Sequence, residues 1–141
     1  PCCLVGSEMC IRDRLYIVNT HMDAGRRDSD RASRKKQLEH IIRTIKQRTS
    51  AEALIVAGDL NLNSKNSEDV QLLENFKEEL RLNDAFEGTK ISKKWTILDY
   101  FLYKKGEELD FKIISTGEDE SFVTEEGALS DHPALIIELS L

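Results

Sequence analysis

The side chains of this chain best suited to chemistry sit in four short segments. His21 lies in Asn19-Thr20-His21-Met22-Asp23-Ala24-Gly25, and Asp59 and Asn61 lie in Gly58-Asp59-Leu60-Asn61. Asp99 lies in Ile97-Leu98-Asp99-Tyr100, and Asp131 and His132 lie in Ser130-Asp131-His132-Pro133. Carboxylates and carboxamides offer the hard oxygens that Mg²⁺ prefers. Histidine adds a base that titrates near neutral pH. Attack of water on a phosphoester needs this inventory: a proton acceptor, oxygens for a metal, and groups that meet the charge on the phosphoryl oxygens. Taken singly, each residue also has a purely structural reading. Asp59 suits a strand-end Asx turn, Asp99 a strand edge, and His21 a hydrogen-bonded loop.

The elements around these segments are legible. Leu15 to Thr20 is a short apolar, β-branched run, the pattern of a buried strand that delivers His21 at its C-terminal end. Residues 24 to 30 read as a loop, with Asp28, Ser29 or Asp30 available as a cap for a helix from about Arg31 to Arg48. Leu38, Ile41, Ile42 and Ile45 recur at helical spacing and turn one face inward. Ala53 to Ala57 is a continuous apolar run, expected as a strand covered on both faces, with Gly58-Asp59-Leu60-Asn61 at its exit. If that segment stays extended, Asp59 and Asn61 share a face.

A second helix is expected from a cap at Ser67 to about Arg81, with Leu72, Leu73, Phe76 and Leu80 on one face. The period then changes to that of strands, at about Trp95 to Tyr103, Leu109 to Ser115 and Ala134 to Leu139. Lys104-Lys105-Gly106-Glu107 reads as a hairpin turn, and Glu118 to Glu126 as an exposed acidic loop. The fold class is α/β, mixed sheet with helices outside.

The four segments, in this order, resemble the endonuclease/exonuclease/phosphatase superfamily of metal-dependent phosphoesterases over residues 15 to 141. The resemblance implies a four-layered α/β sandwich, of which these residues form the C-terminal part: one sheet plus its helices. The other sheet would be largely missing, leaving an apolar face without a partner. It also implies roles. His132 is the general base that takes the proton of the attacking water, and Asp99 orients it. Asp131 and Asp59 are metal-side carboxylates, Asp59 also helping to position the nucleophile. Asn61 holds a phosphate oxygen. His21 contacts phosphate or assists the leaving group, as in the deoxyribonuclease-like, sphingomyelinase-like and inositol-phosphatase-like branches.

Asp30, Arg31, Arg34 and Gln37 resemble a pattern of bacterial phosphodiesterase members, expected to tie the helix start to the active-site loop. The implied cofactor is Mg²⁺, with Mn²⁺ as a substitute. The implied substrate is a phosphate ester: nucleic acid, phospholipid head group or soluble phosphoester. No stable protein partner is expected. Family members supply an Asn and a metal-binding Glu ahead of the segment matching Asn19-Thr20-His21, and nothing here can supply them. The chain alone is therefore expected to be nearly inactive, and a catalytically silent binding or scaffold protein is the competing reading.

Composition sets the remaining bounds. The 141 residues are 40% hydrophobic, enough for one domain with a real core, and carry a net charge of -6. An acidic chain lacks the overall basic footprint of a dedicated duplex-DNA binder. No apolar run approaches the roughly 18 residues a membrane span needs. Nine Lys/Arg fall between Arg26 and Arg48 against Asp28, Asp30 and Glu39, a basic stretch that reads as a solvated helix face or as a surface for a phosphate-bearing substrate. Residues 1 to 14 carry no pattern matched to the body and resemble translated adapter read-through, so they are expected to be non-native. All three cysteines, Cys2, Cys3 and Cys10, fall there, which removes any disulfide or zinc-thiolate argument for the body. Localisation is not legible.

Overall fold

The computed structural model describes residues 15–48, 53–89, 98–107, 109–119, 121, 123–128 and 130–141. The expectations for residues 1–14, and for the start of a strand at 95–97, lie outside the described residues. Strand β1 (Leu15–Asn19) is followed by helix α1 (Asp28–Arg48), strand β2 (Ala53–Asp59) and helix α2 (Ser67–Leu80). Then come β3 (Asn83–Asp84), β4 (Asp99–Lys104), β5 (Lys112–Asp119), β6 (Val123–Thr124), β7 (Gly127–Ala128) and β8 (Ala134–Ser140).

A four-stranded mixed sheet runs β1-β2-β4-β3, with β1 parallel to β2 and β4 antiparallel to both β2 and β3. The register pairs Ala57 with Phe101, Gly58 with Tyr100 and Asp59 with Asp99. A separate antiparallel pair, β5-β8, forms a further layer, and β6-β7 is a small hairpin.

The period-2 geometry of β2 divides its side chains between two cores. Leu54 and Val56 face the helices, where Leu38 and Ile45 of α1 and Leu73, Phe76 and Leu80 of α2 complete the larger core. Ala53 and Ile55 face the other way, onto Phe111 and the partly buried Leu109 and Leu139. The strand is covered on both faces as its uninterrupted apolar run predicts. Layers of helices, mixed sheet and β5-β8 pair follow from that division.

Several boundaries differ from the sequence reading, each for a local reason. Helix α1 starts at Asp28, because the Asp30 carboxylate accepts the Arg27 amide at 2.9 Å and closes the first turn. The cap of α2 is Asn66, whose Oδ1 accepts the Glu68 and Asp69 amides; Ser67 is the first helical residue. The helix ends with Arg81 in the left-handed region (φ 56°), a conformation that lets the Leu82 amide reach back to the Lys77 carbonyl.

Among the described residues strand β1 is bordered only by β2 within its sheet, and Ile17 is 65% exposed, against the buried strand expected. The 104–107 segment does not close a hairpin. Strand β4 pairs with β2 and β3, β5 pairs with β8, and the segment carries the chain between layers so that Leu109 and Phe111 can pack beneath β2. Strand β5 runs to Asp119 and β6 lies at Val123–Thr124, both within the stretch expected as an acidic loop, and β7 follows directly after it. No helix among the described residues is long and apolar enough to cross a membrane. Ile114 of β5 and Ile136 of β8 are exposed.

Candidate active site

The ladder between β2 and β4 sets two carboxylates directly opposite one another, Asp59 and Asp99. Like charges at such a position repel, which is unfavourable for a sheet taken alone. The ladder continues past the strand ends: Leu60 donates to the Leu98 carbonyl at 2.9 Å, Thr20 to Ala57 at 3.0 Å and Met22 to Asp59 at 2.9 Å. The segment after β1 is thereby held alongside the end of β2. His21, between these two anchored residues, brings Nε2 to 3.6 Å from Asp59 Oδ2 while its side chain stays 74% exposed.

His132 arrives from the turn before β8. Its amide donates to Ser130 Oγ at 3.1 Å, and its Nδ1 lies 2.6 Å from Asp99 Oδ2. An ionised carboxylate can only accept, so Nδ1 carries the proton and Nε2 is the nitrogen able to receive one. Burial opposes charge on the imidazole, but the Asp99 carboxylate, its hydrogen bond and the charges of Asp59 and Asp131 outweigh it and hold the His132 pKa above its ordinary value. Asp99 is raised as well: burial lifts it, His132 pulls it down, and the facing Asp59 lifts it again.

Asn61 departs from the expected extended geometry. The strand ends at Asp59, Asn61 lies at φ 51°, and its amide donates to Asp59 Oδ1 at 2.8 Å in an Asx turn. Asp59 Oδ1 closes the turn while its Oδ2 faces His21. The Asn61 Nδ2 donates to the Met22 carbonyl at 2.9 Å, which ties the two loops together. Gly58, at φ 125°, permits the approach: a Cβ there would sit 2.0 Å from the Thr20 carbonyl oxygen.

Asp59, Asp99 and His132 each present a ligand atom within 4.8 Å of the others. Asp131 is exposed and stands outside this group, although its charge reaches His132. His21, Asp59 and Asn61 are thus linked by contacts, as are Asp99 and His132, the two groups face one another across the ladder, and Asp131 acts on His132 through its charge.

The tie between helix and loop is built largely from Arg34, which is 1% exposed. Its Nη1 donates to the Asp23 and Gly25 carbonyls at 3.1 and 2.9 Å, and its Nη2 to Asp69 Oδ1 at 3.3 Å. Gln37 exchanges hydrogen bonds with Asp23, and Ser33 donates to the same carboxylate. Asp69 is the residue that sequence reasoning missed. It is buried, receives Arg31, Arg34 and the Asn63 amide, and so pins the loop after Asn61. An acid in the first turn of a helix reads as a favourable dipole partner, and nothing in the sequence separates that from a buried anchor.

No family model matches the sequence, and no curated protein matches it. Among solved structures the chain is similar to a humanized D. rerio TDP2 carrying 14 mutations, at a TM-score of 0.67 and 19% identity, covering 90% of this chain and 52% of that one. It is also similar to a beta toxin from Staphylococcus aureus, at a TM-score of 0.56 and 18% identity, covering 88% and 52%. Both belong to the superfamily that the four segments resemble. The chain has the fold of that superfamily. It spans about half the length of either structure. The α/β expectation holds, and the layers described above correspond to part of the sandwich.

Proposed function

We propose that His21, Asp59, Asn61, Asp99 and His132 form the C-terminal half of a Mg²⁺-dependent phosphoesterase centre. The observation that carries the reading is the 2.6 Å contact of His132 with a carboxylate placed opposite Asp59. A protein folding for stability alone gains little from facing two acids across a ladder and closing them with a histidine.

In this reading Asp99 fixes the His132 tautomer, and Nε2 takes the proton of the attacking water. Asn61, its backbone locked by the Asx turn, retains a second Nδ2 hydrogen for a phosphoryl oxygen. His21, exposed beside Asp59, meets the phosphate or the leaving oxygen. The carboxylates Asp59 and Asp99 fit a hard cation, because Mg²⁺ is commonly held by one or two carboxylates together with substrate phosphate oxygens. Asp131, on the neighbouring turn, is a further candidate for that role. When bound, the ion supplies positive charge against the phosphoryl oxygens and the departing oxygen. The substrate class is a phosphate ester, with nucleic acid, phospholipid head group and soluble phosphoester all compatible.

The test is hydrolysis of bis-p-nitrophenyl phosphate and p-nitrophenyl phosphate, with Mg²⁺, with Mn²⁺ and with EDTA. It compares the 141-residue chain with the protein extended upstream to its genomic start. Metal-dependent turnover by the extended protein, lost in EDTA and nearly absent in the chain alone, is expected. No turnover by the extended protein on either ester would favour the silent scaffold, and robust turnover by the chain alone would show that no upstream carboxylate is needed.

A further inference from the structure

A recess of about 400 Å³ opens beside Asn61, between the residues entering α1 and the capped end of α2. Its wall has an unusual hydrogen-bond balance. Asn63 Oδ1 already accepts the Lys65 amide at 2.8 Å, and Asn66 Oδ1 accepts the Glu68 and Asp69 amides at 3.0 Å. Both oxygens of Asp69 are engaged, Oδ1 by Arg31 and Arg34 and Oδ2 by the Asn63 amide. What remains is a set of donors: the Nδ2 groups of Asn63 and Asn66, and the guanidinium of Arg26, which pairs with no acid among the described residues. Arg34 Nε, in the same wall, is buried without a partner. The lining holds three arginines and one carboxylate, and of the arginines Arg31 pairs with Asp28, Glu68 and Asp69 and Arg34 with Asp69, which leaves Arg26.

The donors left over on this wall, Arg26 and the Nδ2 groups of Asn63 and Asn66, suit a ligand rich in acceptor oxygens. The positive end of the α2 dipole, close to Asn66, adds to that preference. Asn61 lines the recess and also belongs to the catalytic cluster, so the two spaces share a wall.

We propose that the recess is a second oxyanion subsite, which takes a phosphoryl group one bridge removed from the scissile phosphorus. Resting on the proposed function, this narrows the substrate to esters with at least two phosphoryl groups, whether a polyphosphate or a neighbouring nucleotide supplies the second. Arg26 and Asn63 are its specificity residues.

The experiment is calorimetric titration of the full chain, in metal-free buffer, with orthophosphate, inorganic pyrophosphate and a 5′-phosphorylated thymidine dinucleotide. Binding rather than turnover is read, so the result stands whether or not the chain hydrolyses anything. Pyrophosphate or the dinucleotide is expected to bind about tenfold more tightly than orthophosphate, a gain of one charge-assisted contact. Whichever binds identifies the source. Arg26→Glu, at an exposed position, and Asn63→Asp, which keeps the oxygen that Lys65 needs, should each remove that gain. Equal affinity in wild type and Arg26→Glu, or no binding of any of the three at millimolar concentration, overturns the subsite. Binding lost in His21→Ala but kept in both recess variants would place the anion at the catalytic cluster, overturning the subsite while leaving the proposed function intact.

Discussion

Replacing Arg34 by alanine removes the three hydrogen bonds through which α1 holds the Asp23–Gly25 loop and Asp69. Removing one partner from a buried charge pair costs about 3–5 kcal/mol. Asp69 keeps Arg31 Nε at 3.3 Å and the Asn63 amide at 3.2 Å, which brings that figure to its lower end. The Asp23 and Gly25 carbonyls belong to exposed residues and regain water, so they add less than the roughly 1–3 kcal/mol of a buried unsatisfied group. The loss is therefore about 3 kcal/mol, and for a chain of this size a melting temperature lower by roughly 10 °C follows. Thermal unfolding followed by circular dichroism measures it. The Met22 amide, which donates to Asp59 at 2.9 Å, should also exchange with solvent faster, because the loop it anchors has lost its clamp. A drop below about 3 °C with unchanged Met22 protection would refute the view that Arg34 organises this loop.

Gly58→Ala should cost more than about 3 kcal/mol, because its Cβ would meet the Thr20 carbonyl oxygen at 2.0 Å, whereas Gly88→Ala, at φ 74° with open space, should cost only about 1 kcal/mol of backbone strain; comparing the two melting temperatures checks both. Asp84, raised above the ordinary carboxylate value by burial despite the Phe86 amide at 2.8 Å, contributes stability when protonated and loses it as pH rises through its folded-state pKa. Asp84→Asn keeps the acceptor and drops the charge, so it should raise the melting temperature at neutral pH and leave it unchanged near pH 3, and a gain at both pH values would exclude titration as the cause.

The helices and β2 were legible because their apolar periods are unambiguous: Leu38, Ile41, Ile42 and Ile45 on one helix face, Ala53 to Ala57 as a doubly covered strand. Long-range pairing was not legible. Lys104 to Glu107 carries hairpin residues, yet the strands on either side join different sheets, and Phe111 and Leu109 pack beneath β2, a long-range contact that local turn residues do not encode. In the site, Asp99 with His132 was readable from motif order, and the 2.6 Å contact agrees. The face shared by Asp59 and Asn61 was not, because a backbone at φ 51° breaks the period-2 rule on which that expectation rests. Asp69 was invisible for a similar reason: burial of a carboxylate depends on partners 35 and 38 residues away.

The most direct measurement of the central claim is a set of four turnover rates at saturating Mg²⁺, in the protein extended to its genomic start: unaltered, His132→Ala, Asp99→Asn and the double variant. A general base acts in the transition state, so His132→Ala should lower turnover by about 10²- to 10⁴-fold with little change in KM. Asp99→Asn should lower it in the same direction by releasing the imidazole from its 2.6 Å contact, and the double variant should lose less than the product of the single losses, because both changes disable one unit. Multiplicative losses, or near-normal turnover by His132→Ala, would contradict the assignment of His132 as base and Asp99 as its orienting partner.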